Sequence, residues 1–185
     1  MACRRFIPGL LLATGTLWCL IQIPAFSQEK KNQRFKSTIV ELTDSAPAEW
    51  LLKEAKVGAK MISDRDYTIS ELPKEMEGGT YLLRTQGDHS KWLDANAVSA
   101  LKEGTVYAMM RWKYLGKQTI DEPTEVKLER EGWKEVEGEM GTTFPNGEDW
   151  RWKAYKKALK KGPVNLQLKT IDWRGRNLAV IFVFK

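Results

Sequence analysis

The chain has 185 residues, with 30 Lys and Arg against 24 Asp and Glu, 42% hydrophobic and 29% charged residues. That balance belongs to a globular chain and excludes the disordered, collagen-like and fibrous classes; at this length one domain is the default. Two cysteines and one histidine exclude a disulfide-dense scaffold and leave little for metal or triad chemistry.

Residues 1–27 read as a cleavable signal peptide. Arg4 and Arg5 supply a positive start, Leu10 to Ile23 carries no charge, and Ala25 and Ser27 are small residues two apart, as a signal peptidase requires. The apolar stretch is short for a membrane span. Thr16-Leu17-Trp18 before Cys19 lacks the small residue expected ahead of a lipidated cysteine. Cleavage before Gln28 leaves 158 residues (185 less 27) without cysteine, with 28 basic against 24 acidic side chains. The expected product is secreted or periplasmic and folds without disulfides. A domain of this length buries roughly 68–70% of its unfolded surface. Its small positive excess is no nucleic-acid footprint, and no later stretch is apolar enough to span a bilayer.

Residues 28–34 are polar and read as a tether, and residues 35–185 as one β-sandwich domain. Phe35–Thr43 mixes β-branched residues and opens the first strand. Ser45 as a cap, Pro47 in the first turn, Trp50, Leu51 and Ala55 at helical spacing, and Gly58 as a stop predict a short helix near residues 47–56. Strand signals then dominate: Met61–Ser63, Tyr67–Ser70, Thr80–Thr85 after Gly78-Gly79, and Thr105–Trp112, apolar on both faces. Gly87–Ser90 reads as a polar loop and Gly138–Asp149 as a long one, on its glycines and proline. A short strand is expected between Trp133 and Val136. Residues 150–161, WRWKAYKKALKK, fit a strand with Trp150 and Trp152 on one face, or a helix stacking Trp152, Tyr155 and Leu159; the strand is preferred because neighbouring segments need a pairing partner. Val164–Ile171 alternates with Val164, Leu166 and Leu168 on one side. Residues 173–177 form a hairpin turn, and Leu178–Phe184 reads as a central strand covered on both faces. Short strands separated by frequent turns predict an all-β fold, an antiparallel β-sandwich or jelly roll with that one short helix.

Several of these residues form a pattern. Asp64-Arg65-Asp66-Tyr67-Thr68-Ile69, Leu72-Pro73, Met76, Gly78 and Tyr81-Leu82-Leu83-Arg84-Thr85 are followed by Val106-Tyr107-Ala108-Met109, Gly132-Trp133, and Tyr155, Gly162, Val164 and Leu166. Together they resemble a small secreted bacterial β-sandwich module, found alone or appended to extracellular polysaccharide-active proteins. The resemblance runs from Leu51 to Lys185 and implies an accessory, non-catalytic role. In that module the V-Y-V-A strand often ends in aspartate; this chain has Met109-Met110-Arg111-Trp112 there. Independently of the resemblance, Arg65 and Tyr67 lie two apart and share a strand face, so the arginine can stack on the ring or bind a carboxylate from the opposite sheet. The pair is read as fold-holding.

Catalytic signals are thin. His89 is the only histidine; Ser90 beside it points away in an extended chain, no Gly-x-Ser-x-Gly elbow exists in the mature chain, and His89 reads as an exposed loop residue. Zinc needs three or four N or S ligands, which the mature chain lacks. Asn146-Gly147-Glu148-Asp149 has oxygen ligands but not the spaced acids of a calcium loop, and reads as a turn. Neither metal nor cofactor is expected. Tryptophan is the strongest compositional signal: Trp50, Trp92, Trp112, Trp133, Trp150, Trp152 and Trp173 in the mature chain. Trp50, Trp112 and Trp133 are expected in the core. Trp150, Trp152 and Trp173 stand beside Arg151, Lys153 and Arg174 and are expected to show a face. Aromatic and cationic groups together suit an acidic glycan. The expected function is a non-catalytic ligand-binding module, glycan the leading ligand, with Trp150, Trp152, Trp173 and Arg174 as its binding residues. A small envelope hydrolase using Asp/Glu carboxylates and a purely structural envelope protein are the alternatives.

Overall fold

The computed structural model describes residues 35–89, 96–111, 113–114, 117–118, 127–145, 149–166, 168, 170–171, 177–178 and 180–185. Its strands are β1 (Val40–Leu42), β2 (Leu51–Glu54), β3 (Thr68–Glu71), β4 (Thr80–Leu83), β5 (Val98–Ala100), β6 (Gly104–Arg111), β7 (Lys113–Tyr114), β8 (Lys117–Gln118), β9 (Lys134–Thr143), β10 (Asp149–Leu159), β11 (Gly162–Pro163), β12 (Thr170–Ile171), β13 (Asn177–Leu178) and β14 (Val180–Phe184). The helical content among the described residues is a 3-10 turn (Lys74–Met76), a one-turn helix α1 (Gln86–His89) and a turn at 127–130. The expected all-β, antiparallel architecture is borne out. A large sheet runs β2-β4-β14-β6-β10-β9-β3 and a small one runs β1-β5-β11, with two short ribbons, β7-β8 and β12-β13. No helix among the described residues is long and apolar enough to cross a membrane.

Period-two alternation explains why the large sheet is covered on both faces. In β14, Val180, Phe182 and Phe184 enter one core, and Ile181 and Val183 enter another. In β6, Val106, Ala108 and Met110 go with the first set, Tyr107 and Met109 with the second. The first core lies under the small sheet, which contributes Val40, Val98 and Ala100. The second lies under residues 55–78, which contribute Ala55, Met61, Ile62, Leu72 and Met76. Each fully buried side chain of this size contributes roughly 1.5–3 kcal/mol.

The segment after β2 lies over this second face and is hydrogen-bonded both to the β3 edge and to the end of β4. Gly58 N–H donates to the Ile69 carbonyl at 2.7 Å, near the β3 edge, and Ser63 N–H to the Arg84 carbonyl at 2.9 Å, beside β4. The Tyr81 hydroxyl donates to the Lys60 carbonyl, and burial raises that phenol to about 12.

Three expectations need correction. Residues 47–56 are not a helix: a turn closes from Trp50 N–H to the Pro47 carbonyl at 3.0 Å, and Leu51–Glu54 then pairs with β4. Trp50 enters the first core and Ala55 the second, so the residues that suggested one helical face serve opposite sides of a sheet. The first half of the loop expected over Gly138–Asp149 is strand instead: residues 138–143 belong to the ten-residue β9. Gly138 (φ +92°) sits at a bulge, where pairing with β10 shifts between Lys153 and Tyr155; glycine supplies the positive φ that a β-bulge can require. Between Val164 and Ile171, the described residues pair as a strand at Thr170–Ile171, with a single bridge residue at Leu166. The predicted face is nonetheless right, since Val164, Leu166 and Leu168 all pack in the first core. Residues 150–161 form a strand through Leu159, as preferred, and Leu178–Phe184 supplies the central β14.

Candidate functional site

The strand register collects six aromatic and arginine side chains at one end of the large sheet. Leu51 pairs with Leu83, Val180 with Met110, Arg111 with Trp152, Trp150 with Thr142, and Thr68 with Thr143. Trp50, Arg84, Arg111, Trp150, Phe144 and Tyr67 stand at or just beyond these positions.

On the second-core face, the Phe144 ring lies 4.0 Å from Tyr67 and 4.1 Å from Trp150, centroid to centroid, tilted by 56° and 47°. The Arg111 guanidinium carbon stands 4.0 Å over the Trp150 ring. Trp150 and Tyr67 are half-buried, while Phe144 and Arg111 are buried. Tilted aromatic contacts and a cation over an indole each contribute roughly 0.5–2 kcal/mol. Arg151 pairs with Glu71 beside this cluster. The arrangement presents the remaining indole surface with fixed orientation and positive charge nearby.

On the first-core face the same end carries a polar cluster that is fully enclosed. Arg84 is 0% exposed and lies 5.2 Å from the Trp50 ring and 5.7 Å from Phe182. Its Nη2 donates to the Val180 carbonyl at 3.1 Å, and His89 Nδ1 lies 3.1 Å from the same oxygen. Asp88 Oδ2 accepts from Trp50 Nε1 at 3.1 Å and from the Thr85 hydroxyl at 2.9 Å. Burial lowers the Arg84 guanidinium to about 10, against the opposing pull of Asp88. Burial, then the Arg84 charge, lowers the His89 imidazole to about 3. At neutral pH the arginine is therefore charged and the histidine neutral.

The sequence-predicted site residues separate in space. Trp150 is at the rim as expected. Trp152 is not: it is 1% exposed, lies in the second core and donates from Nε1 to Thr142 Oγ1 at 3.0 Å. The two indoles share a face, but Trp152 is two residues deeper, between Met140 of β9 and Arg111 of β6. Trp173 and Arg174, with Trp92, Trp112 and residues 146–148, lie outside the described residues. Trp50 and Trp133 are buried as expected.

Arg65 and Tyr67 serve different neighbours. Arg65 Nε donates to Gln86 Oε1 at 2.8 Å, and Asp64 Oδ1 accepts the Gln86 N–H at 2.8 Å, so this stretch fastens α1 while Tyr67 joins the rim rings. His89 is the plainest correction. It is fully buried on α1 rather than exposed in a loop, because its Nδ1–H finds the Val180 carbonyl. Arg84, Asp88 and Arg111 are not among the sequence-predicted site residues; for the two arginines the available signal is a charge placed where an apolar strand run stops, and Asp88 has none. Among the described residues, no group of three or more His, Cys, Asp or Glu side chains is placed to hold a metal.

No protein-family model matches the chain, and no curated protein matches it. Among solved structures it is similar to a β-glucuronidase from glycoside hydrolase family 2, with a TM-score of 0.51 over 79% of this chain at 10% identity. The chain spans 14% of that enzyme's length. At this identity the likeness speaks for the fold.

Proposed function

We propose that this is a secreted, non-catalytic β-sandwich that binds glycan through the rim around Trp150, with acidic sugars favoured. The observation that carries the reading is the half-buried Trp150, braced by Phe144 at 4.1 Å and overlaid by Arg111 at 4.0 Å. The part of the braced indole that Phe144 and Arg111 leave uncovered would meet a sugar ring without losing rotamer freedom on binding, and the guanidinium favours a carboxylate-bearing sugar. The fold-level likeness to part of a β-glucuronidase and the resemblance to secreted accessory modules support the same direction. The signal-like N-terminal sequence supports export.

A glycan array compares the wild type with Trp150→Ala and Trp152→Ala. Trp150→Ala is expected to weaken binding tenfold or more (about 1.4 kcal/mol) while staying folded. Trp152→Ala is expected to unfold at markedly lower temperature. Undiminished binding by Trp150→Ala, or an array silent for the wild type, would overturn the reading. Cleavage of a bound glycan would make the chain a hydrolase instead.

A further inference from the structure

The end of the large sheet away from Trp150 carries a patch of positive charge on the second-core face. Lys134 of β9 stands directly opposite Lys156 of β10. Both lie on this face, because Val136 and Ala154, two residues away on their strands, enter the second core. In the next row Ala158 pairs with Thr105 of β6. The Thr105 backbone is hydrogen-bonded in both directions to that of Lys185, at 2.7 and 2.8 Å. Ala158 is exposed and Thr105 half-buried, so two small side chains make an open floor with lysines around it. Lys160 leaves the strand just past Ala158, and Lys74 stands on the 3-10 turn whose Glu75 reaches this end.

Two of these lysines are held in place. Lys156 Nζ donates to Glu75 Oε2 at 2.9 Å, and the Tyr107 hydroxyl donates to the same oxygen at 3.4 Å. Lys185 Nζ donates to the Glu75 and Glu77 carbonyls at 2.9 and 3.0 Å. Lys134 and Lys160 are exposed, and neither makes a hydrogen bond or ion pair among the described residues. Like charges directly across a ladder repel, and Glu75 answers only one of the facing pair. The acids of β9 lie on the other side of the sheet. Glu135 pairs in register with the first-core Tyr155 and takes Lys153 at 3.2 Å, and Glu139 stands opposite Lys153. Glu77 and Glu103, also exposed at this end, leave the lysines in excess.

A patch of this kind attracts a polyanion. Nothing in it stacks a base, since its one ring, Tyr107, is 5% exposed, and single-stranded nucleic acid is held on rings as well as by charge. These residues include no large exposed apolar side chain to enter a bilayer. The charges stand on a flat sheet at ladder spacing, about 4.8 Å from β9 to β10 and twice that from β10 to β14. That spacing fits carboxylates repeated along an extended chain. We infer that Lys134, Lys156, Lys160 and Lys185 bind the acid groups of a carboxylated polysaccharide. This rests on the glycan reading and defines its ligand as a polymer. Trp150 and Ala158 lie eight residues apart on β10, about 26 Å, too far for a mono- or disaccharide to touch both. A chain that reaches both gains affinity because the second contact forms at high effective concentration.

Calorimetric titrations with polygalacturonate and with digalacturonate compare the wild type, the double variant Lys134→Glu/Lys160→Glu, and Trp150→Ala. Dextran, double-stranded DNA and phosphatidylglycerol vesicles are titrated alongside. Polymer binding by the wild type is expected to weaken steeply between about 50 and 200 mM salt. The double charge reversal is expected to weaken it at least about tenfold, with digalacturonate binding and melting temperature unchanged, since both lysines are exposed. Polymer affinity that the reversal leaves intact overturns the inference, and so does a wild type that ignores the polymer. Equal affinity for dextran, DNA or the vesicles overturns it too, by removing the preference for an acidic polysaccharide. Where the double reversal lowers the melting temperature, Lys134→Ala/Lys160→Ala takes its place, with a smaller loss in the same direction. Polymer binding that responds to the lysines but not to Trp150→Ala sinks the Trp150 reading and leaves this patch standing; the opposite pattern sinks the patch alone.

Discussion

Arg84 over Trp50 and Arg111 over Trp150 are the same chemical pair, set on opposite faces at one end of one sheet. Trp50 is 7% exposed, and its N–H is bound to Asp88. Trp150 is half-buried, with Phe144 and Tyr67 as its ring neighbours. The difference is enclosure. An indole closed in on its edges and satisfied at nitrogen belongs to the packing. One that keeps part of its surface at the rim remains able to meet a ligand. Residue type and cationic partner alone do not separate the two.

The comparison is tested most strongly by truncating both indoles. Trp50→Ala should cost about 3–5 kcal/mol in urea unfolding, the range for a large core aromatic, and Trp150→Ala no more than about 1–2 kcal/mol. Equal costs would erase the distinction between the two faces.

A smaller effect is expected from acid. The folded His89 pKa, about 3, is below its usual 6.5, so as pH falls the unfolded chain takes up the proton first. The stabilising contribution is therefore complete above about 6.5 and drains away toward about 3. The slope attributable to one such group approaches ~1.4 kcal/mol per pH unit. Wild type should lose about 1 kcal/mol more than His89→Asn over one pH unit within that window, read from denaturant midpoints. Parallel curves would mean that the first-core cluster is open to water.

The smallest effect is at the rim. Arg111→Lys keeps the charge and loses the flat stack on Trp150, and should cost about 0.5–1 kcal/mol in stability. It should also weaken glycan binding. A stability loss as large as that of Trp50→Ala would place Arg111 among the packing residues.

Where the sequence was legible, one physical pattern carried the signal. The strands β6, β10 and β14 alternate between two apolar cores, and strict period two in a fully covered strand is hard to mimic. β2 was hidden because Trp50, Leu51 and Ala55 fit helical spacing, while in fact Trp50 and Ala55 face opposite cores and Leu51 is exposed. β9 was hidden because Gly138 looks like a loop residue and is instead a bulge. For the site, the shared face of Trp150 and Trp152 was readable, but depth along the strand was not: two residues separate rim from core. Arg84, Asp88 and His89 left almost no trace, since burial of a polar side chain depends on a carbonyl or carboxylate brought from distant parts of the chain, here Val180 for Arg84 and His89.

The placement of β14 carries a consequence for assembly. It is the last strand in chain order, yet it separates β4 from β6, pairing with both. Until it inserts, the large sheet exists as two ribbons that share no ladder, and closing it requires contacts between residues about a hundred positions apart, which are slow to form. Its sequence, Val-Ile-Phe-Val-Phe, is uncharged and β-prone, the kind that sticks to other chains when left open. The ladder between β14 and β4 is thus the most sequence-distant one among the described strands, and closure of the large sheet depends on it.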